Sequence, residues 1–131
     1  MVKSLAIRVE DNRILVADDD LMIRKMVVKV LEREGYGVDE AKDGAEAIEM
    51  CAATRYRVVL LDMMMPRVDG VKVLRWLEEH RPDLIDRVVV MTAFTRLAAE
   101  TAERFCRVIY KPFDIDDLVS CVRERAETRA D

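Results

Sequence analysis

The chain is poor in the residues that break or staple structure. It has 4 glycines and 3 prolines in 131 residues, too few for a collagenous or low-complexity disordered protein. Cysteine is scarce and odd in number. Cys51, Cys106 and Cys121 are widely spaced, form no metal motif and suggest no disulfide framework, so reduced, partly buried thiols are expected. A single histidine, His80, lies in "EEHRPDL" and reads as a surface or helix-end residue rather than a catalytic one. The longest apolar runs are about five residues, far short of the roughly 20 that span a bilayer, so no membrane partner is expected. The start, "MVKSLAIRVEDN", places an arginine and acids soon after a short apolar patch, which argues against a signal peptide. Basic and acidic residues, 22 and 26 for a net charge of −4, are well mixed. No basic stripe offers a nucleic-acid footprint, so direct nucleic-acid binding is not expected.

What remains is a composition 51% hydrophobic and 37% charged, enough for one soluble domain with a full core. Short apolar runs alternate with amphipathic stretches. "RILVAD" (13–18), "RVVLLD" (57–62) and "RVVVMT" (87–92) read as strands buried on both faces, with shorter strands at "GVDEA" (37–41), near an edge, and "RVIY" (107–110). Between the first two of these, residues 21–35 carry Ile23, Met26, Val27, Val30 and Leu31 at helical spacing, with Gly35 as a stop. Further helices are predicted over 43–53, 69–80, 96–105 and 114–130. Five strand–helix repeats of this kind imply a doubly wound α/β parallel sheet with right-handed crossovers. Residues 1–12 precede the first strand; "SLAIRV" alternates weakly and is either an extra edge strand or an arm.

The polar residues at strand ends carry the chemistry, because ligands of open parallel sheets bind beyond the carboxyl ends of the strands. The first strand ends in Asp18, Asp19 and Asp20, the third in Asp62, the fourth in Thr92, and Lys111 follows the fifth. Asp20 immediately precedes a helix and reads as its N-cap. If the first and third strands are neighbours, Asp18, Asp19 and Asp62 converge. Two carboxylates about 4 Å apart repel by roughly 4 kcal/mol at an effective dielectric near 20, so such a group calls for a cation. Oxygen donors without His or Cys point to a hard ion, and Mg²⁺ suits a few carboxylates with water and a phosphate oxygen.

Together "ILVADDD", "VVLLDMMMPRVDG", "VVVMTAF" and "YKPF" resemble the receiver domain of bacterial two-component response regulators, over nearly the whole chain. The resemblance implies a flavodoxin-like (βα)5 fold of strand order 2-1-3-4-5, with residues 13–131 as the domain. It implies a phosphorylatable signalling switch, not a turnover enzyme. Asp62 would accept a phosphoryl group from a sensor histidine kinase or phosphotransfer protein. Asp18, Asp19, Asp62 and the backbone carbonyl of Met64 would hold Mg²⁺. Lys111 would pair with Asp62 at rest and with a phosphoryl oxygen afterwards, and Thr92 would bind another. Lys111-Pro112 would be a cis peptide. The altered output face would comprise the fourth helix, fifth strand and fifth helix, acting on an output domain or partner protein, with a homodimer among the outcomes. A cytoplasmic location follows from the same resemblance. Met64 and Phe94, two residues after Asp62 and Thr92, stand where the family tunes the lifetime of the phosphorylated form.

The chain departs from that pattern in places. Thr92 and Lys111 are 19 residues apart in sequence, which predicts a fourth helix shortened by roughly one turn of 3.6 residues. Val108 replaces an aromatic usual three residues before the lysine, and Tyr110 lies next to the lysine, on the other side of the strand. Arg107, Asp117 and Arg123 are candidates for charged pairs on the output face. Met63, Met64 and Met65 read as an apolar lid whose side chains fill and pack. Two other readings compete. A phosphohydrolase of the haloacid-dehalogenase type wants an acid two residues after its nucleophile, where Met64 stands. A receiver-like interaction domain with phosphate-independent signalling would need none of the acceptor residues, all of which are present.

Overall fold

A computed structural model of the chain describes residues 8–9, 12–93, 96, 100 and 107–127. Five parallel strands form one sheet: β2 (Arg13–Ala17), β3 (Gly37–Ala41), β5 (Val58–Asp62), β6 (Val88–Ala93) and β7 (Arg107–Lys111). Their order is β3-β2-β5-β6-β7. Counted within this sheet alone, that is 2-1-3-4-5, the flavodoxin-like order expected. The short strand "GVDEA" lies at one edge, as its mixed composition suggests.

Val, Ile and Leu run without polar alternation in the central strands because both faces are covered. Successive side chains point to opposite faces and so enter two separate cores. Leu15, Ala17, Val59, Leu61, Val88 and Val90 pack on one face against α2 (Gly44–Ala53), α3 (Gly70–His80) and the short α4 (Pro82–Ile85), through Ala47, Cys51, Val73, Leu74, Leu77 and Leu84. Ile14, Val16, Val58, Leu60, Val89 and Met91 pack on the other against α1 (Leu21–Arg33) and α5 (Ile115–Glu127), through Val27, Leu31, Leu118 and Val122. Each fully buried Val or Leu contributes about 1.5–3 kcal/mol, so β5, buried at all five positions, is among the most firmly held strands.

The helix ends follow their sequence signals. Asp20 caps α1, accepting from the amides of Met22 and Ile23 at 3.0 and 3.2 Å. Just past its end, Gly35 takes a left-handed φ of 96°. Asp43 and Asp69 cap α2 and α3. His80 is exposed at the end of α3, its Nδ1 3.1 Å from the carbonyl oxygen of Trp76 and its ring stacked on Trp76. Cys51 and Cys121 are buried free thiols; burial pushes the Cys51 thiol up to about 12.

Several features depart from the expected pattern. Pro82–Ile85 is a short helix in a stretch where no helix is predicted. Arg8–Val9 forms β1, a parallel pair with β4 (Thr54–Arg55), as a small sheet separate from the main one. The last helix spans Ile115–Glu127, within the predicted 114–130. The predicted fourth helix over 96–105, Phe94 and Cys106 lie outside the described residues, apart from helical positions at Arg96 and Glu100.

Candidate functional site

The order of the sheet places β2 beside β5, and β5 beside β6. Ala17 pairs with Leu61 across the first boundary, so Asp18 and Asp62 leave their strands side by side. Asp62 pairs with Met91, which brings Thr92 next to it on β6; Thr92 in turn pairs with Tyr110, directly before Lys111. Strand register therefore gathers all the expected site residues at one rim.

The acids converge there. Asp18, Asp19 and Asp62 each place a carboxylate oxygen within 4.8 Å of the other two. Asp18 and Asp62 are buried, at 0% and 3% exposure, while Asp19 is exposed. A buried pair of carboxylates facing an exposed third, with no His or Cys among them, fits a hard cation approached from solvent. The Asp62 carboxyl reflects this setting. Burial pushes it up to about 6; the amide of Met64 opposes the shift, the charge of Asp18 adds to it, and Lys111 opposes it.

Lys111 supplies the local positive charge. Its Nζ lies 3.4 Å from Asp62 Oδ2, the pairing expected, but only 2.8 Å from Asp18 Oδ2. The lysine is thus shared, and its closer partner is the other buried acid. Although burial works against its charge, hydrogen bonding to Asp18 and the field of both acids raise its pKa above the ordinary lysine value. Lys111-Pro112 is cis. Thr92 is fully buried, and its hydroxyl donates to the Ala93 carbonyl at 3.2 Å.

Backbone contacts shape the two acid-bearing loops. Asp18 Oδ1 accepts from the Asp20 amide at 2.9 Å, and Asp62 Oδ1 from the Met64 amide at 3.1 Å. Each carboxylate therefore folds back on its own loop. Arg24 of α1, which the sequence does not single out, donates from Nη1 to the Asp18 carbonyl at 2.8 Å and from Nε to Glu40 at 2.9 Å. Lys25 joins the same carboxylate at 2.9 Å. These cations hold Glu40 below the ordinary carboxylate value, against the opposing effect of burial. No local sequence signal marks Arg24, because its side-chain partner Glu40 lies 16 residues away, on another element.

The methionine segment fills and packs as expected at two of its three positions. Met63 and Met65, at 3% and 6% exposure, belong to the core beneath α2 and α3; only Met64, at 62%, faces solvent. The turn hides its two flanking methionines and leaves the middle one beside the acids. Gly70 begins α3, and its amide donates to the Met63 carbonyl at 3.1 Å, closing the loop after Asp62. On β7, Val108 is half-buried against the core that contains α2 and α3, while Ile109 packs toward the opposite core. Of the candidates for charged pairs on the output face, Arg107 bonds Glu124 and Arg123 bonds Glu34, the latter at 2.8 Å.

Known proteins are similar to this chain in sequence and fold. The response regulator receiver domain model matches residues 14–123. The response regulator receiver protein CpdR of Brucella abortus is 37% identical over 111 residues, which cover 82% of this chain and 91% of that protein. Response regulator MprA of Mycobacterium ulcerans is 38% identical over 114 residues, 85% of this chain but 48% of the relative, so the chain spans about half of that protein. Among solved structures, the Francisella response regulator 1452 receiver domain has a TM-score of 0.80 at 29% identity, covering 88% of this chain and 97% of that one. TrrA of Thermotoga maritima, solved in complex with Mg(2+)-BeF, has a TM-score of 0.75 at 30% identity, covering 87% and 98%. No described helix is long and apolar enough to cross a membrane. With its family model matched over most of its length, the chain belongs to the response regulator receiver domain family.

Proposed function

We propose that the chain is a phosphorylatable switch in which Asp62 accepts a phosphoryl group from the phosphohistidine of a sensor histidine kinase or phosphotransfer protein. The observation that carries this reading is the convergence of Asp18, Asp19 and Asp62 within 4.8 Å, with Lys111 on two of them. In the transfer an Asp62 carboxylate oxygen attacks phosphorus. The new O–P bond forms as the P–N bond breaks, and the leaving imidazole nitrogen keeps that bond's electron pair. Little of this chemistry needs a covalent catalyst; it needs alignment and neutralisation of charge.

Asp18, Asp19, Asp62 and the Met64 carbonyl would hold Mg²⁺, which supplies Lewis-acid neutralisation of the phosphoryl oxygens when bound. TrrA, similar in sequence and fold, was solved with Mg(2+)-BeF, which supports a site of this kind here. Lys111 provides a mobile cation that can leave an aspartate for a phosphoryl oxygen. The buried Thr92 hydroxyl, now engaged with a neighbouring carbonyl, is free to turn and donate to another.

The product is a change of state rather than a released compound, so the domain signals and does not turn over a substrate. Residues 13–131 would form the switch, with 1–12 as an extension, and the face built on β7 and α5 would pass the state to an output domain or partner protein. The greater length of the MprA relative supports a partner domain in proteins of this kind. Homodimerisation through that face and a cytoplasmic setting complete the reading. A small phosphodonor such as acetyl phosphate, or the kinase, should label the wild-type protein in Mg²⁺, lose all labelling with Asp62→Asn, and keep most of it with Asp20→Asn. Full labelling of the Asp62 variant would move the acceptor elsewhere.

A further inference from the structure

The loop after the acceptor holds an arginine in an unusual conformation. Arg67 has φ of 64°, left-handed backbone that a residue with a Cβ seldom adopts. Outliers of this kind persist where surrounding contacts over-determine them. The contact here is specific: the Arg67 guanidinium donates to Asp43 Oδ2. Asp43 is 4% exposed and caps α2, its Oδ1 accepting from the Glu46 amide at 2.9 Å. The arginine side chain is itself 66% exposed, so it lies over the loop and reaches in only with its tip.

The next residue along each segment is fastened too. A Cβ at Gly44 would come within 1.9 Å of the Val68 carbonyl oxygen, so the loop backbone rests directly on the start of α2. Arg67 and Val68 thus meet Asp43 and Gly44 as two consecutive contacts. At the loop's other end, Met64 is tied to Asp62 Oδ1. Between the two fastenings lie only Met65 and Pro66.

We infer that Arg67 and Asp43 form a positioning pair, which holds the loop after Asp62 in the curl that puts the Met64 backbone against the acceptor and its metal. This inference rests on the proposed role of Asp62 and deepens it. Neither residue touches the reacting atoms. Their effect passes through the loop backbone, and it makes the entry to α2 part of the acceptor's support. The plainer account is an ion pair between a mostly exposed arginine and a helix cap, whose loss would alter stability and nothing else.

The test uses three variants of the full chain. Arg67→Gly removes the guanidinium and suits the left-handed backbone. Asp43→Asn keeps a good helix cap but removes the charge. The third is the double variant. In metal-free protein, amide hydrogen exchange at Met64 should quicken in both single variants. The Mg²⁺ concentration that half-saturates the amide shifts of residues 62–64 should rise about tenfold, the scale seen when support behind a metal ligand is removed. Acetyl phosphate labelling of Asp62 should slow in step. The double variant should lose no more than either single one, as expected for one shared interaction. Wild-type exchange, Mg²⁺ response and labelling in Arg67→Gly overturn the pairing, whatever happens to Tm. So does a loss that Asp43→Asn fails to reproduce. Failure of the wild-type protein itself to label at Asp62 would instead overturn the proposed function, and the metal-free exchange data would still decide whether the pair holds the loop.

Discussion

Lys111 stands closer to Asp18 than to Asp62, at 2.8 against 3.4 Å. In the absence of a metal the lysine is therefore the shared counter-ion of two buried carboxylates. A dication held by the acids, as proposed, would compete with it for Asp18 and would free it toward a charge arriving at Asp62. Titration with Mg²⁺ should shift the amide signals of residues 18–20, 62–64 and 92, and move the Lys111 side-chain resonances over the same concentration range. Unchanged spectra at millimolar Mg²⁺ would remove the metal site.

The raised Asp62 carboxyl sets a pH dependence of stability. Its folded value of about 6 lies above the ordinary 3.8, chiefly through burial. Between those values the folded state binds more protons than the unfolded one, so its contribution to stability falls as pH rises and the full cost is present above 6. Asp62→Asn removes that titration. In metal-free urea denaturation the variant should gain on wild type as pH rises from 3.8 to about 6 and hold that gain above it, where Mg²⁺ should narrow the gap by stabilising the ionised wild type. A stability difference independent of pH would contradict the raised value.

Of the glycines, Gly44 leaves the least room for a side chain. Ala at this position puts a methyl 1.9 Å from the Val68 carbonyl oxygen, a backbone atom that moves only with its loop. Gly44→Ala should cost roughly 1–3 kcal/mol, the range for overpacking. It should also weaken the Mg²⁺ response at Met64. Urea denaturation and the same amide titration measure the two effects; wild-type values in both would show that the loop yields freely.

If Asp62 is phosphorylated as proposed, the lifetime of that form would depend on water reaching phosphorus from outside. Met64 is 62% exposed beside the acids, an apolar side chain unable to orient a water by hydrogen bonding. With Phe94 as its counterpart in the sequence, slow loss of phosphate is expected. Replacing both, with Met64→Asn and Phe94→Glu, should speed decay in Mg²⁺ buffer without kinase, tenfold if about 1.4 kcal/mol of barrier is involved. Decay no faster than the parent would dismiss the shielding.

The site is legible in the sequence where chemistry and strand ends coincide. Asp18, Asp62, Thr92 and Lys111 each end or follow an apolar run, and unbroken Val and Leu in β5 announce a strand covered twice. The order that makes β2 and β5 neighbours is not readable from periodicity; it comes with the family resemblance. The helix cap at Asp20 is visible because an acid stands directly before a periodic stretch. Other features depend on contacts between distant segments. Arg24 reaches Glu40, Arg67 reaches Asp43, and Lys111 chooses Asp18, all across the fold. No local pattern distinguishes Met64 from Met63 and Met65, since the turn alone decides which of the three faces solvent. The pairing of Arg8–Val9 with Thr54–Arg55 is likewise too short to leave a periodic signal.

The division of the interior into two cores limits where this chain can change length. Neighbouring residues such as Leu60 and Leu61, or Val90 and Met91, belong to opposite cores. One residue inserted into or deleted from either strand would send every later side chain to the wrong layer and pull Asp62 or Thr92 from the rim. Gains and losses of residues are tolerated only between the strands. The 19-residue step from Thr92 to Lys111 encloses one such interval, the residues between the end of β6 and the start of β7.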